Sequence, residues 1–162
     1  MKKAAQGYFK AMDILYKIVE NIALLFLVAT VTLLFIQTGM RYLLNHSLSW
    51  AEELCRYMCI WMAFLGSGIG IRDGIHVGFD LLKNRLPESL RNHLELVLHA
   101  AVLVGSFVII KHSLTLMDQV KTQISSSMGF PMSYVYVSML IGAILVALYS
   151  LEGVLRKVVK EG

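Results

Sequence analysis

The sequence predicts an all-α integral membrane protein: four transmembrane helices, both termini in the cytoplasm, and an interfacial helix ahead of the first span. Three observations carry that fold class. Hydrophobic residues make up 57% of the 162-residue chain and charged residues only 16%, a balance foreign to soluble domains. The apolar residues gather into four runs, each near the roughly 20 residues that cross a bilayer core. The cations are segregated. Lys2, Lys3, Lys10 and Lys17 precede the first run, Arg72, Lys83, Arg85 and Arg91 follow the second, and Arg156, Lys157 and Lys160 follow the fourth. Only Arg41, Arg56, Lys111 and Lys121 fall on the other side. By the positive-inside rule the richer side is cytoplasmic. The pI near 9.1 is therefore a topology signal and does not point to nucleic acid.

The segment before the first span mixes apolar and Lys positions at helical spacing. It is expected to lie along the inner membrane surface before turning in. The first span, about residues 21–40, carries no charge. It is too long for the apolar region of a cleavable signal and has no small-residue cleavage site after it, so it reads as a retained anchor. The outer loop Asn45–Trp50 is short. Ser49 and Glu52 fit a capping box, which starts the second helix at Trp50, and Glu52 and Arg56 are spaced i, i+4 in the favourable order.

The second span covers about residues 54–71. The inner loop that follows is the longest. Pro87 suits the first turn of the third helix, whose span is about residues 94–110 and whose breaker-free sequence allows it to continue to about Met117. Pro131 is expected to open the fourth helix, with Tyr134 and Tyr136 at the outer interface and a span of about 129–151. The four spans use most of the chain, leaving one four-helix membrane domain over residues 1–162.

The most informative stretch is Trp50–Asp80. Glu52, Glu53 and Arg56 stand at its outer end, beside Trp50, and Arg72, Asp73, His76 and Asp80 at its inner end. Charges this near hydrocarbon are costly and usually partnered. The outer three are either solvated charges pairing locally or contacts for another protein. Between the ends, Gly66 and Gly70 repeat at the small-xxx-small spacing that lets membrane helices approach closely. Their partner is either another helix of this chain or a separate subunit.

Other chemistries find little material. Cys55 and Cys59 lie one turn apart on a single span and do not make a CxxC redox pair. Only His99 falls inside a span, whereas a bis-His haem needs two facing each other. His76 and Asp80 are two metal ligands without a third. Glu95 is placed to pair with His99. No span carries a midplane carboxylate or a broken helix of the kind that builds a transport site, and no phosphate loop is present. The expectation is a non-enzyme without metal or cofactor, and not a complete transporter.

These residues resemble the small membrane subunit, the DctQ type, of tripartite ATP-independent periplasmic (TRAP) transporters. The resemblance rests on Trp50, Glu52 and Glu53 before the second span, Arg56 one turn later, the glycine-rich end at Gly66, and Arg72, His76 and Asp80 just inside. It implies a scaffold for a large multi-span subunit that holds the substrate and sodium sites. A periplasmic binding protein would deliver an organic acid (a C4-dicarboxylate, a sialic acid or a similar carboxylate) and engage transiently. It also implies a bacterial inner membrane location and contact with lipids, with no nucleic acid. The interface residues would be Trp50, Glu52, Glu53, Arg56, Gly66 and Gly70, while Arg72, Asp73, His76 and Asp80 order the inner loop. The alternatives are a membrane anchor for a quinone-linked redox enzyme and a stand-alone small transporter.

Overall fold

The computed structural model describes the backbone of residues 2–74 and 88–161, and the side chains of 7–74 and 97–156. Four helices account for nearly all of it: α1 (Lys2–Leu43), α2 (Ser49–Asp73), α3 (Glu88–Val120) and α4 (Ser133–Glu161). Each contains a stretch long and apolar enough to cross a membrane. Among the described residues there is no strand, only an isolated bridge between Ile124 and Pro131. Such all-helical architecture satisfies every internal backbone group within its own segment, which hydrocarbon requires.

The helix ends follow local chemistry. Asn45, in the left-handed region at φ 54°, lets the chain leave α1 while the His46 N–H donates back to the Met40 carbonyl. Gly74, at φ 69°, closes α2 in the same way, its N–H donating to the carbonyls of Gly70 and Ile71. The expected capping box does not form. Leu48 occupies the N-cap without a side-chain hydrogen bond, and Glu52 is drawn to α1 instead. The fourth helix begins at Ser133, two residues after Pro131, whose carbonyl accepts from Tyr134 N–H at 3.3 Å. Pro87 lies outside the described residues.

The segment ahead of the first span also differs from expectation. It does not turn: Lys2–Leu43 is one continuous helix, roughly 63 Å long at the α-helical rise. The reason is packing. Met12 and Val19 are buried in a cluster with Leu65, Leu145 and Tyr149, so this part of α1 is held by α2 and α4.

In space the helices form a row in the order α1, α2, α4, α3. The helix pairs with substantial packing are α1 with α2, α2 with α4, and α4 with α3. α1 and α2 run antiparallel, with Phe26 edge-on to Trp61 and Gln37 reaching Glu52. α2 and α4 run parallel, joined by Tyr57 with Met132 near one end and Arg72 with Glu152 near the other.

Close approach along the row comes from small residues. A Cβ on Gly142 would lie 2.7 Å from Phe64 Cβ and 2.8 Å from the Phe64 carbonyl oxygen, and one on Gly68 would lie 3.1 Å from Leu145 Cβ. Ser106, Ser113, Ser138 and Ser150 are fully buried. The first three donate to carbonyls of their own helices, and Ser150 Oγ donates across to the His99 carbonyl at 2.9 Å. Each hydroxyl is satisfied while its small volume lets α3 and α4 come together.

Candidate functional site: the two ends and the exposed face of the second helix

At the outer end of α2, the two adjacent glutamates have separate tasks. Glu52 faces α1, where its Oε1 accepts from Gln37 Nε2 at 2.8 Å and pairs with Arg41. Glu53 faces the hairpin between α3 and α4. Its carboxylate accepts from the backbone N–H of Ser127 at 2.8 Å and of Ser126 at 3.2 Å, and from the Tyr57 hydroxyl. Glu53 is only 8% exposed, so this carboxylate is held within its own chain. The ring of Tyr57 meets Phe130 edge-on, at 5.5 Å between centroids, which fixes the hydroxyl over Glu53. Gly129, at φ 73°, makes the tight return of that hairpin.

Trp50 is 44% exposed. Arg56 is exposed, and among the described residues no carboxylate pairs with it. The expected Glu52–Arg56 pair gives way to Glu52–Arg41, because Arg41 approaches from the end of α1 where Glu52 already points.

Between its ends α2 shows one uncovered ridge. Arg56, Cys59, Ala63, Gly66, Gly70 and Asp73 follow each other at alternating steps of three and four, which keeps them on one face of the helix. α1 meets α2 at Glu52, Met58 and Trp61, and α4 meets it at Phe64, Gly68 and Arg72. The stretch from Arg56 to Gly70 is therefore turned away from both, exposed except at the half-buried Gly70, and it ends at Asp73, which returns to α1 through Tyr16. A Cβ added to Gly66 or to Gly70 would meet nothing within 4 Å. Among the described residues nothing would meet a side chain at Gly66 or Gly70, while the close packing falls to Gly68, Gly142 and Gly153, the last lying against the ring of His99.

At the inner end the polar residues form a network across three helices. Arg72 Nε donates to Glu152 Oε2 at 3.1 Å, and its Nη2 pairs with Asp13. Arg156 Nη2 donates to Glu152 Oε1 at 2.7 Å. Tyr16 donates its hydroxyl to Asp73 at 3.0 Å. The guanidinium of Arg72 sits 4.6 Å from the centre of the Tyr16 ring and 5.5 Å from that of Tyr149, a cation–π arrangement on both sides. Glu152 is 1% exposed; as a buried carboxylate it needs these partners. Of the expected inner cluster, Arg72 and Asp73 belong to this network, and His76 and Asp80 lie outside the described residues, as does the side chain of Glu95. Asp13, Glu152 and Arg156 are additions; the i, i+4 spacing of Glu152 and Arg156 is the sequence signal that would have found two of them.

Among the described residues, no group of three or more His, Cys, Asp or Glu is arranged to hold a metal. The site is one of contact surfaces and ion-pair clamps.

Comparison with known proteins bears on what such surfaces meet. Residues 30–160 match the family described as tripartite ATP-independent periplasmic transporters, DctQ component. A Haemophilus influenzae protein provisionally named a TRAP transporter small permease is 29% identical over 147 residues, 91% of this chain and 87% of that one. The sialic acid TRAP transporter small permease protein SiaQ of Vibrio cholerae is 37% identical over 103 residues, 61% of this chain and 60% of its own. The C4-dicarboxylate TRAP transporter small permease protein DctQ of the same organism is 32% identical over 106 residues, 65% of this chain and 46% of its own.

Proposed function

The chain belongs to the DctQ component family of tripartite ATP-independent periplasmic transporters, and we propose that it is the static scaffold of a three-part importer. It is a small permease subunit and a multi-pass membrane protein. In the proposed assembly it lies in the bacterial inner membrane with both termini cytoplasmic, as its charge asymmetry favours. A large multi-span subunit moves the substrate, coupled to sodium, and a periplasmic binding protein delivers it. The substrate is an organic acid, and the names of the Vibrio relatives support a sialic acid or a C4-dicarboxylate. The scaffold role is supported by the spans themselves: no Asp or Glu falls between residues 21 and 40, 54 and 71, or 129 and 151, so these hold no buried carboxylate to coordinate an ion.

The observation that carries this reading is the uncovered ridge of α2. Glycine and alanine on a lipid-facing surface gain little from lipid, but they let a second helix approach closely. A Cβ on Gly66 or Gly70 would meet nothing among the described residues, so in this reading the helix they suit belongs to the large subunit. Arg56, at the outer end of the ridge, meets a carboxylate or a headgroup there. Trp50 and the Glu52–Arg41 pair form the rim next to it, towards the headgroups and the docked binding protein. Glu53 contributes indirectly, by holding the α3–α4 hairpin in place. Arg72 and Asp73, with His76 and Asp80, order the inner loop. Residues 1–162 act as one domain.

The test is Gly66→Leu. The isolated variant should unfold at or above the wild-type temperature, because the new side chain meets none of its own helices. Co-purification with the large subunit should be lost. Wild-type recovery of the complex would refute the ridge as the interface.

A further inference from the structure

Lys111 directly follows the third span and by sequence alone belongs to the outer side, on a helix that continues past the hydrocarbon. The helix register places it elsewhere. Ser150 Oγ donates to the carbonyl of His99 at 2.9 Å, which sets these two residues at one level of the antiparallel α3–α4 pair. Twelve residues up α3, about 18 Å at the helical rise, Lys111 therefore stands opposite Ser138. On α4 the stretch from Ser133 to the buried Glu152 is about 29 Å long, the thickness of a bilayer core. Ser138 lies about 8 Å inside its outer edge. With Ser133 and Glu152 taken as the two edges of the core, Lys111 falls within the outer rim of the hydrocarbon.

Its surroundings are uncovered, apolar on the side towards Val104 and polar at His112 and at Thr115, whose hydroxyl donates to the Lys111 carbonyl. Lys111 is exposed, and among the described residues no carboxylate pairs with it. Val104, Phe107, Val108 and Leu114, one or two turns away on α3, are each more than half exposed. α3 stands at the end of the row, packed on α4. Its free face carries bulky side chains, whereas the ridge of α2 is built from small ones. A bulky face offers another helix no close approach, but it accommodates acyl chains.

We propose that the outer face of α3 is a phospholipid site, in which Lys111 extends towards the outer surface and binds the phosphate of a lipid whose chains lie over Val104, Phe107, Val108 and Leu114. A lysine stem lies along apolar surface while its ammonium seeks the polar zone, and the nearer polar zone is the outer one. Phosphatidylglycerol suits the lysine better than phosphatidylcholine, because no choline cation offsets the charge of its phosphate. The site fixes the depth of the subunit in the bilayer at the edge opposite α1. It rests on the membrane-spanning reading alone, not on the transporter role.

The test places a fluorophore on Leu114→Cys in a Cys59→Ser background, Cys55 being buried. The full chain, alone and co-expressed with its large subunit, is reconstituted in phosphatidylcholine nanodiscs carrying increasing brominated phosphatidylglycerol. Quenching should show preferential phosphatidylglycerol binding. Lys111→Gln should weaken it about fivefold, and Lys111→Arg should retain it. Equal preference in the wild type and Lys111→Gln would overturn the proposal. So would loss of quenching only when the large subunit is present, since that would put protein and not lipid on this face. Neither result would touch the α2 interface, which Gly66→Leu tests separately.

Discussion

The carboxylate of Glu53 accepts the backbone N–H of Ser127 at 2.8 Å, joining the start of α2 to a hairpin 74 residues later in the chain. With Ser126 N–H also bound, one side chain satisfies two loop amides that the chain turns inward. Glu53→Ala should therefore speed amide exchange at Ser126 and Ser127 while leaving the helical amides of α2 and α4 protected. Glu53→Gln, which keeps one acceptor oxygen, should fall between. Identical exchange in all three proteins would show that the hairpin holds without this carboxylate.

Arg72 is the hub of the inner network, and its removal leaves the buried Glu152 with Arg156 as its remaining partner. Arg72→Leu should destabilise the detergent-solubilised chain by about 3 kcal/mol, at the lower end for a broken buried pair because Arg156 remains. Removing both charges, as Arg72→Leu with Glu152→Leu, should recover much of that loss. Thermal unfolding of the two single variants and the double variant closes the cycle, and simple additivity would contradict a coupled pair.

Glycines of the two classes should respond oppositely to the same change. Gly142→Ala drives a methyl group into the backbone of Phe64 and should cost about 1–3 kcal/mol as α2 and α4 separate. Gly66→Ala points into open space and, by favouring the helical backbone, should raise stability by about 0.5–1 kcal/mol. Equal effects at both positions would mean that the α2–α4 contact is looser than described.

Cys59 is a native reporter on the ridge. It is exposed, whereas Cys55 is buried with its thiol directed at the Thr30 carbonyl. A membrane-permeant maleimide should modify the isolated chain once, at Cys59, and assembly with the large subunit should suppress the reaction. Undiminished labelling in the assembled complex would place the partner on another face.

The sequence is most legible where composition alone decides. Four apolar runs and segregated cations are enough for an all-helical membrane chain, because hydrocarbon permits few other solutions, and the run from Trp50 to Asp80 is enough for the family. The redox-anchor alternative finds no support among the relatives, which are permease components. Partner choice was harder to read. Glu52 suits a capping box and an i, i+4 pair, both local arrangements, but Arg41 and Gln37 come within reach only once α1 and α2 are side by side. Gly66 and Gly70 have the spacing of packing glycines, and Gly68, Gly142 and Gly153 do not, yet it is the latter that lie against neighbours. Spacing reports which residues share a face; it does not report which face another helix takes. Asp13 and Glu152 were inconspicuous because each sits at the margin of an apolar run, where a solvated charge is ordinary.

The spatial order of the helices, α1, α2, α4, α3, also has a meaning for how the protein is made. The ribosome releases α3 before the helix it packs on exists. Until α4 is synthesised and slots in beside α2, α3 has its serine-lined face, including Ser106 and Ser113, turned to lipid or to the insertion machinery. Completion of the subunit is therefore a last-helix event, and a chain truncated before Ser133 should lack its third helix's docking site as well as its fourth helix.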